Sequence, residues 1–185
     1  MIYVCRHGKT RLNSATTEDD KIRGWLDVPL TKEGIEEAHG IADELKDKGI
    51  KRIYASDMDR TRKTADILGD KIGVEPSFSK EFRPWNLGKF QGKPTKDVMN
   101  DINYYIQNSH LQVPDGESFK EFQDRFLNAL KGIMSEKITC AIVTHFRNTK
   151  LVESWIKNGQ KGNTIDKNEM KKDGVSTGGI LELHS

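Results

Sequence analysis

Long apolar runs are missing from this 185-residue chain. None approaches the roughly 18–20 residues that a membrane-spanning helix needs, and the first residues lack the pattern of a secretory leader. The expected location is the cytoplasm, with no membrane partner. A charge excess is missing as well. Thirty Lys and Arg against 28 Asp and Glu leave a net charge of +2, too little to point to a nucleic acid as the main partner. Cysteine is scarce. Cys5 and Cys140 each sit in an apolar, strand-like run and read as buried small hydrophobes rather than halves of a disulfide, and no spacing suits a metal. There is no internal repeat and no low-complexity tract. A content of 35% apolar and 31% charged residues describes a folded, rather polar protein, most simply one domain spanning 1–185.

Short apolar runs alternate with amphipathic ones. "IYVC" (2–5), "IKRIYAS" (50–56), "TCAIVTH" (139–145) and "GGILELH" (178–184) are short, largely β-branched and strand-like. Helical stripes lie between them: Ile35, Ala38, Ile41, Ala42 and Leu45; Thr64, Ala65, Leu68 and Ile72; Phe122, Phe126, Ala129, Leu130 and Ile133. The last opens with "SFKE" (118–121), a capping box. Strands alternating with helices predict a three-layer α/β/α sandwich around a mostly parallel sheet. Residues 84–117 break the alternation. They read as an insertion packed over one end of the sheet, with a helix carrying Val98, Ile102, Tyr105 and Ile106. Residues 157–177 are polar and Lys-rich and read as a mobile surface loop.

In parallel α/β sheets, ligands bind outside the carboxyl ends of the strands. The first strand ends in Arg6-His7-Gly8, the strand at 139–145 ends in His145, and Arg60 follows "IYASDMD" at the start of a helix. Two arginines and two histidines thus converge on one sheet edge, and their natural guest is a phosphoryl group. Guanidinium forks bind phosphate oxygens in pairs and stay charged. A neutral imidazole attacks phosphorus in line, while a second, protonated one stabilises the equatorial oxygens. Gly8 would let the backbone approach the phosphate, and a helix start after the strand would add N–H donors. Each feature alone has a plainer reading, Arg60 as part of a solvated helix face and His145 as a satisfied strand-end histidine. The weight lies in their convergence.

These residues resemble a known family. "CRHGKTRLN" (5–13) is similar to the RHGxTxxN signature of the histidine phosphatase superfamily, which includes the cofactor-dependent phosphoglycerate mutases. The likeness continues through "RGWLDVPLTKEG" (23–34), "YASDMDRTRKTADIL" (54–68), "PDGESFKEFQDR" (114–125) and "AIVTH" (141–145), in the family order. The resemblance implies a phosphoglycerate mutase-like fold with the 84–117 insertion covering the site. It implies His7 as nucleophile and carrier of a transient phosphohistidine, with Arg6, Arg60 and His145 completing the phosphate pocket. Asn13, Arg23 and Gly24 fall where phosphate or substrate is lined. The partner would be a small phosphorylated molecule, no metal or other cofactor would be needed, and a homodimer is left open.

The pattern breaks at one place. Family members carry a general-acid glutamate four residues before the first glycine of an ExxxGxxxG-like segment. Here the segment is "EFRPWNLGKFQG" (81–92), and the position falls on Pro84. Glu81, three residues upstream, is the substitute acid, with Asp115 and Glu117 better read as turn and cap residues. A lost general acid typically costs about 10²–10⁴ in rate, most for poor leaving groups. Two smaller departures follow. Lys9 stands where Glu or Gln is common, which would make the pocket more cationic. "HFRN" (145–148) replaces the usual glycine after the second histidine, so that Phe146 narrows the wall and Arg147 adds a phosphate contact. The favoured function is a metal-independent phosphatase working through phosphohistidine. The alternatives are a phosphoglycerate mutase and a phosphoryl-binding module without turnover.

Overall fold

The computed structural model describes residues 1–13 and 20–184. Among these, five strands form one sheet in the order β3-β2-β4-β1-β5. The strands are β1 (Ile2–Arg6), β2 (Arg52–Ser56), β3 (Pro76–Ser79), β4 (Cys140–Thr144) and β5 (Ile180–Leu183). β1 to β4 run parallel, and β5 closes one edge antiparallel to β1. The helices are α1 (Lys32–Leu45), α2 (Asp59–Ile72), α3 (Thr95–Gln107), α4 (Phe119–Ser135) and α5 (Phe146–Lys157).

Alternation along the strands divides the core in two, because successive side chains point to opposite faces. Tyr3, Cys5, Ala141 and Val143 face α1 and α2 and pack on Ala38, Ile41, Leu45, Ala65 and Leu68. Ile2, Val4, Cys140 and Ile142 face the other way, onto Phe122, Phe126 and Leu130 of α4, Leu151 and Trp155 of α5, and Ile102 and Ile106 of α3. This is the three-layer sandwich the alternation predicts. Ser118 and Glu121 exchange both capping-box bonds at the head of α4. Both cysteines are buried and free, and burial pushes the Cys140 thiol up to about 11.

Two sequence expectations need correction. Residues 157–177 are not a loose loop throughout. Ser154 Oγ donates to the Asp166 carbonyl at 2.7 Å, Trp155 Nε1 to Gly162 at 3.0 Å and Lys150 Nζ to Asp173 at 2.9 Å. These bonds seat a short 3-10 turn (Glu169–Lys171) with Met170 buried beneath it. The anchors come from α5, which sequence periodicity did not reveal. That helix buries Asn148, Thr149, Lys150 and Ser154 beside Leu151 and Trp155, so its buried face is not an apolar stripe. β3, four residues long with no fully buried residue, left no signal either.

The loop after β1 is held by a glycine pair. A Cβ on Gly8 would lie 2.0 Å from the Gly34 carbonyl oxygen, and one on Gly34 would lie 2.1 Å from that of Lys9. Gly8 is therefore needed for backbone packing against the start of α1 rather than for approach to a phosphate. Its N–H is donated to Thr64 Oγ1 at 3.3 Å. Nor does a helix follow Gly8 directly, since α1 begins only at Lys32. Helices that do start at the cavity include α2, through Arg60 in its first turn, and α5, which follows His145 without a side-chain cap bond.

Gly34→Ala should therefore lower stability by about 1–3 kcal/mol, as overpacking does. Gly40→Ala on the same helix, where a Cβ meets nothing within 4 Å, should raise it by about 0.5–1 kcal/mol through helix propensity. Denaturant unfolding of the two variants against the parent checks both signs.

Candidate active site

The strand ends open on a cavity of about 330 Å³ lined at its inner end by Arg6, His7, Arg23, Gly24, Arg60 and His145. Strand register assembles it. Arg6 is paired with Thr144 across β1 and β4, and the His7 N–H donates to the Thr144 carbonyl at 3.0 Å. His7 and His145, one residue further on, leave the sheet side by side. Their rings meet edge-on with centroids 5.2 Å apart.

Hydrogen bonds assign the tautomers. His7 Nδ1 lies 2.7 Å from the Gly8 carbonyl, which only accepts, so Nδ1 carries the proton and Nε2 keeps its lone pair. His145 Nδ1 accepts from Arg60 Nε at 3.3 Å, so the proton sits on Nε2. That Nε2–H is buried and has no partner among the described residues, and neither has Arg6 Nε. Buried polar groups are rarely left so. Both donors line the same cavity as the His7 ring.

Burial, then Arg60 and Arg6, holds the His7 imidazole well below its usual range. Burial and Arg60 do the same to His145. With its Nδ1 accepting from Arg60, the neutral His145 ring presents Nε2–H as a donor.

Arg60 is 1% exposed. Its Nη1 donates to the Leu26 carbonyl at 2.8 Å and its Nη2 to the Gly24 carbonyl at 2.9 Å and the Met58 sulfur at 4.0 Å, so it ties the 24–26 turn to the floor and keeps one N–H, on Nη1, to offer. Burial, then Arg23, pulls its pKa down to about 9. Arg6, held by the Val175 carbonyl at 2.8 Å and stacked on Phe146 at 4.9 Å, is pulled down to about 10 by the same two causes. Arg23 donates to the Leu12 carbonyl and to Asp20. Asp20 also accepts from Thr95 Oγ1 at 2.5 Å.

Arg147 lines the same cavity, over the Trp85 ring at 5.8 Å. Asn13 does not line this cavity. Its Oδ1 accepts from the Thr10 N–H and hydroxyl at 3.0 and 2.9 Å, and the residue borders an adjoining cavity. Lys9 is there too, paired with Glu33 at 2.7 Å, and adds nothing to the main pocket's charge.

Glu81 is misplaced for an acid. It is exposed on the 3-10 turn Lys80–Phe82, outside the cavity lining, because that turn aims it at solvent. Pro84 does line the cavity, and its carbonyl accepts from Trp25 Nε1 at 2.9 Å. Glu117 is locked to Arg125 at 2.8 Å and to the Asn86 N–H, and Asp115 sits in a turn with φ 60°, as the turn-and-cap reading expected. The carboxylates lining the cavity are Asp20 and Asp173. Sequence reasoning missed Asp20, Trp85, Met99 and Lys171 as lining residues. Only the Pro84-Trp85 neighbourhood carried a signal, as the place where the family pattern fails.

Comparison with known proteins gives this arrangement its class. Residues 2–177 match the model of the histidine phosphatase superfamily (branch 1), and the chain belongs to that family. A Yersinia pestis (strain Pestoides F) relative named "Probable phosphoglycerate mutase GpmB" is 31% identical over 134 residues. The match covers 70% of this chain and 60% of the relative, so the chain spans well under two thirds of that protein's length. Among solved structures, a mycobacterial glucosyl-3-phosphoglycerate phosphatase with VO3 is similar, with TM-score 0.79, 19% identity and coverage of 97% of this chain and 88% of that one. The α-ribazole phosphatase of Shigella flexneri superposes with TM-score 0.74 at 22% identity, covering 96% and 86%. At these identities the structures establish the shared fold.

The buried imidazoles set a pH dependence. Both stay neutral in the folded, unliganded protein, whereas the unfolded chain takes up their protons below about pH 6.5. Stability should therefore fall as pH drops from 6.5 to 5.5, by up to about 1.4 kcal/mol per pH unit for each histidine. Denaturant melts in phosphate-free buffer should show this slope, and His145→Gln should roughly halve it.

Proposed function

We propose that the protein is a phosphatase that works through a phosphohistidine on His7 and needs no metal ion. The observation that carries this reading is the pair Arg6 Nε and His145 Nε2–H, buried and without a partner among the described residues, in the cavity that His7 lines with its Nδ1 held by the Gly8 carbonyl and its Nε2 left to the cavity. A phosphoryl group there would satisfy both donors. The positive charge a metal would bring is supplied by Arg6, Arg23 and Arg60.

His7 Nε2 attacks phosphorus in line, and the bond to the leaving oxygen breaks with its electron pair on that oxygen. Preorganised N–H donors hold the equatorial oxygens as charge develops. Water then attacks the phosphorus, the P–N bond breaks, and inorganic phosphate departs. With Pro84 at the acid position and Glu81 facing solvent, the leaving oxygen departs without a proton from either. The reading therefore favours acidic leaving groups such as phenols, acids and anhydrides.

Hydrolysis of an aryl phosphate against an alkyl phosphate tests this. Aryl turnover should vanish in His7→Ala and be indifferent to chelator. Alkyl turnover should be slower by about 10²-fold or more, the scale of a missing acid. Glu81→Gln should change neither rate by more than about twofold. Absence of His7-dependent turnover on both substrates would refute the reading, and phosphoglycerate isomerisation in its place would establish a mutase.

A further inference from the structure

The cavity that holds the candidate phosphate seat also has apolar walls and two cations whose side chains have no hydrogen-bond or ion-pair partner among the described residues. Trp85 is fixed as one wall, its indole N–H donated to the Glu117 carbonyl at 2.8 Å and its ring stacked on Phe122 at 6.4 Å with planes 8° apart. Leu87, Met99, Phe146 and Met170 continue the lining. Arg147, in the first turn of α5, lies against the Trp85 ring and makes no hydrogen bond or ion pair among the described residues. The Lys171 side chain lines the same cavity and is likewise without a partner among the described residues. Other cations are committed: Lys157 and Lys172 to Glu169, Lys150 to Glu153, Arg83 to Asp57, Arg125 to Glu117.

Arg147 lies against the apolar wall, over the Trp85 ring, and burial together with the Arg23 charge pulls its guanidinium down to about 10. A planar guanidinium fork there suits a carboxylate or a second phosphoryl group equally, since each offers paired anionic oxygens.

We propose that Arg147 and Lys171 form a second anion subsite, so that the substrate carries an apolar body beyond its phosphoryl group and a further anionic group at the far end. The inference deepens the phosphatase reading and rests on it for the place of the first anion.

Arylphosphonates test it without turnover, because their P–C bond is not cleaved. Titration calorimetry would compare phenylphosphonate with phenyl- and biphenylphosphonates bearing a carboxylate or a second phosphonate at increasing distance. At least one doubly anionic ligand should bind about tenfold tighter than phenylphosphonate at low salt, with the gap narrowing as salt screens it. Whichever substituent wins names the second anion. Arg147→Ala and Lys171→Ala should each shrink the gap, and Asp173→Asn, which removes a carboxylate from the lining of the same cavity, should widen it. Lys171 and Asp173 are exposed, so those two variants report on charge with the fold intact. Equal affinity across the series, or a gap that survives both cation removals, overturns the subsite. The phosphatase reading falls separately, on loss of His7-dependent aryl turnover. If no phosphonate binds at all, the subsite is overturned together with the phosphate seat.

Discussion

The site depends on the pairing register of β1 and β4. With Arg6 opposite Thr144 and the His7 N–H on the Thr144 carbonyl, two imidazoles leave adjacent parallel strands at the same level. A slip of one residue would turn every side chain of β1 to the opposite face, exchanging Val4 with Cys5 and burying His7 against a helix layer. Two core faces of different composition therefore specify the register more strongly than the site does. Everything else arrives by reference to it. β2 pairs with the far side of β4, Ala55 opposite Val143, and delivers Arg60 through the first turn of α2. β5 takes the near side of β1, and the chain leading into it supplies the Val175 and Gly179 carbonyls that fix Arg6.

The cavity concentrates positive charge where water is scarce, and its way of tolerating this differs from that of the rest of the molecule. Elsewhere, partly buried arginines meet carboxylates: Arg83 with Asp57, Arg125 with Glu117. Inside the cavity, Arg60 and Arg6 are held by backbone carbonyls instead. A carbonyl dipole steadies a guanidinium without cancelling its charge, so the field remains for an incoming dianion. Burial, reinforced by the same field, holds the His7 imidazole well below its usual range. Arg60 also sets His145 as an N–H donor through the proton arrangement it imposes. One exception, Arg23 with Asp20, places a carboxylate at the edge of this field, where Thr95 also holds it.

Much of this was legible because strand ends are punctuated. Arg6-His7-Gly8, His145 and Arg60 each follow an apolar run of few residues, and the topology of a parallel sheet converts that punctuation into proximity. Features that depend on contacts between segments distant in sequence were not legible. Gly8 looked like a phosphate-facing glycine, and only its contact with Gly34 shows it as a packing device. Asn13 and Lys9 sit within the signature segment, yet their partners turn them to the adjoining cavity. α5 escaped notice because it buries polar side chains that anchor the segment after it, so it lacks the apolar stripe by which helices are read. Residues 157–177 looked loose for the same reason, since their anchors lie on that helix.

The departures from the family pattern are physically linked. Pro84 removes an acid from the cavity wall and brings its own ring there, next to Trp85, whose indole becomes the neighbouring surface. Phe146 replaces the small residue expected after His145, and its ring carries the Arg6 guanidinium. Arg147, one residue on, spreads over Trp85. Phe146 and Arg147 bring aromatic surface and a stacked cation to the cavity wall on which Pro84 stands at the acid position. Such surface cannot supply a proton. Under the proposed phosphatase reading it would orient a flat leaving group, and a leaving group stabilised by its own delocalisation needs no proton to depart. On that reading, the loss of the acid and the gain of the aromatic and cationic wall would be two sides of one change in the phosphoryl compounds accepted.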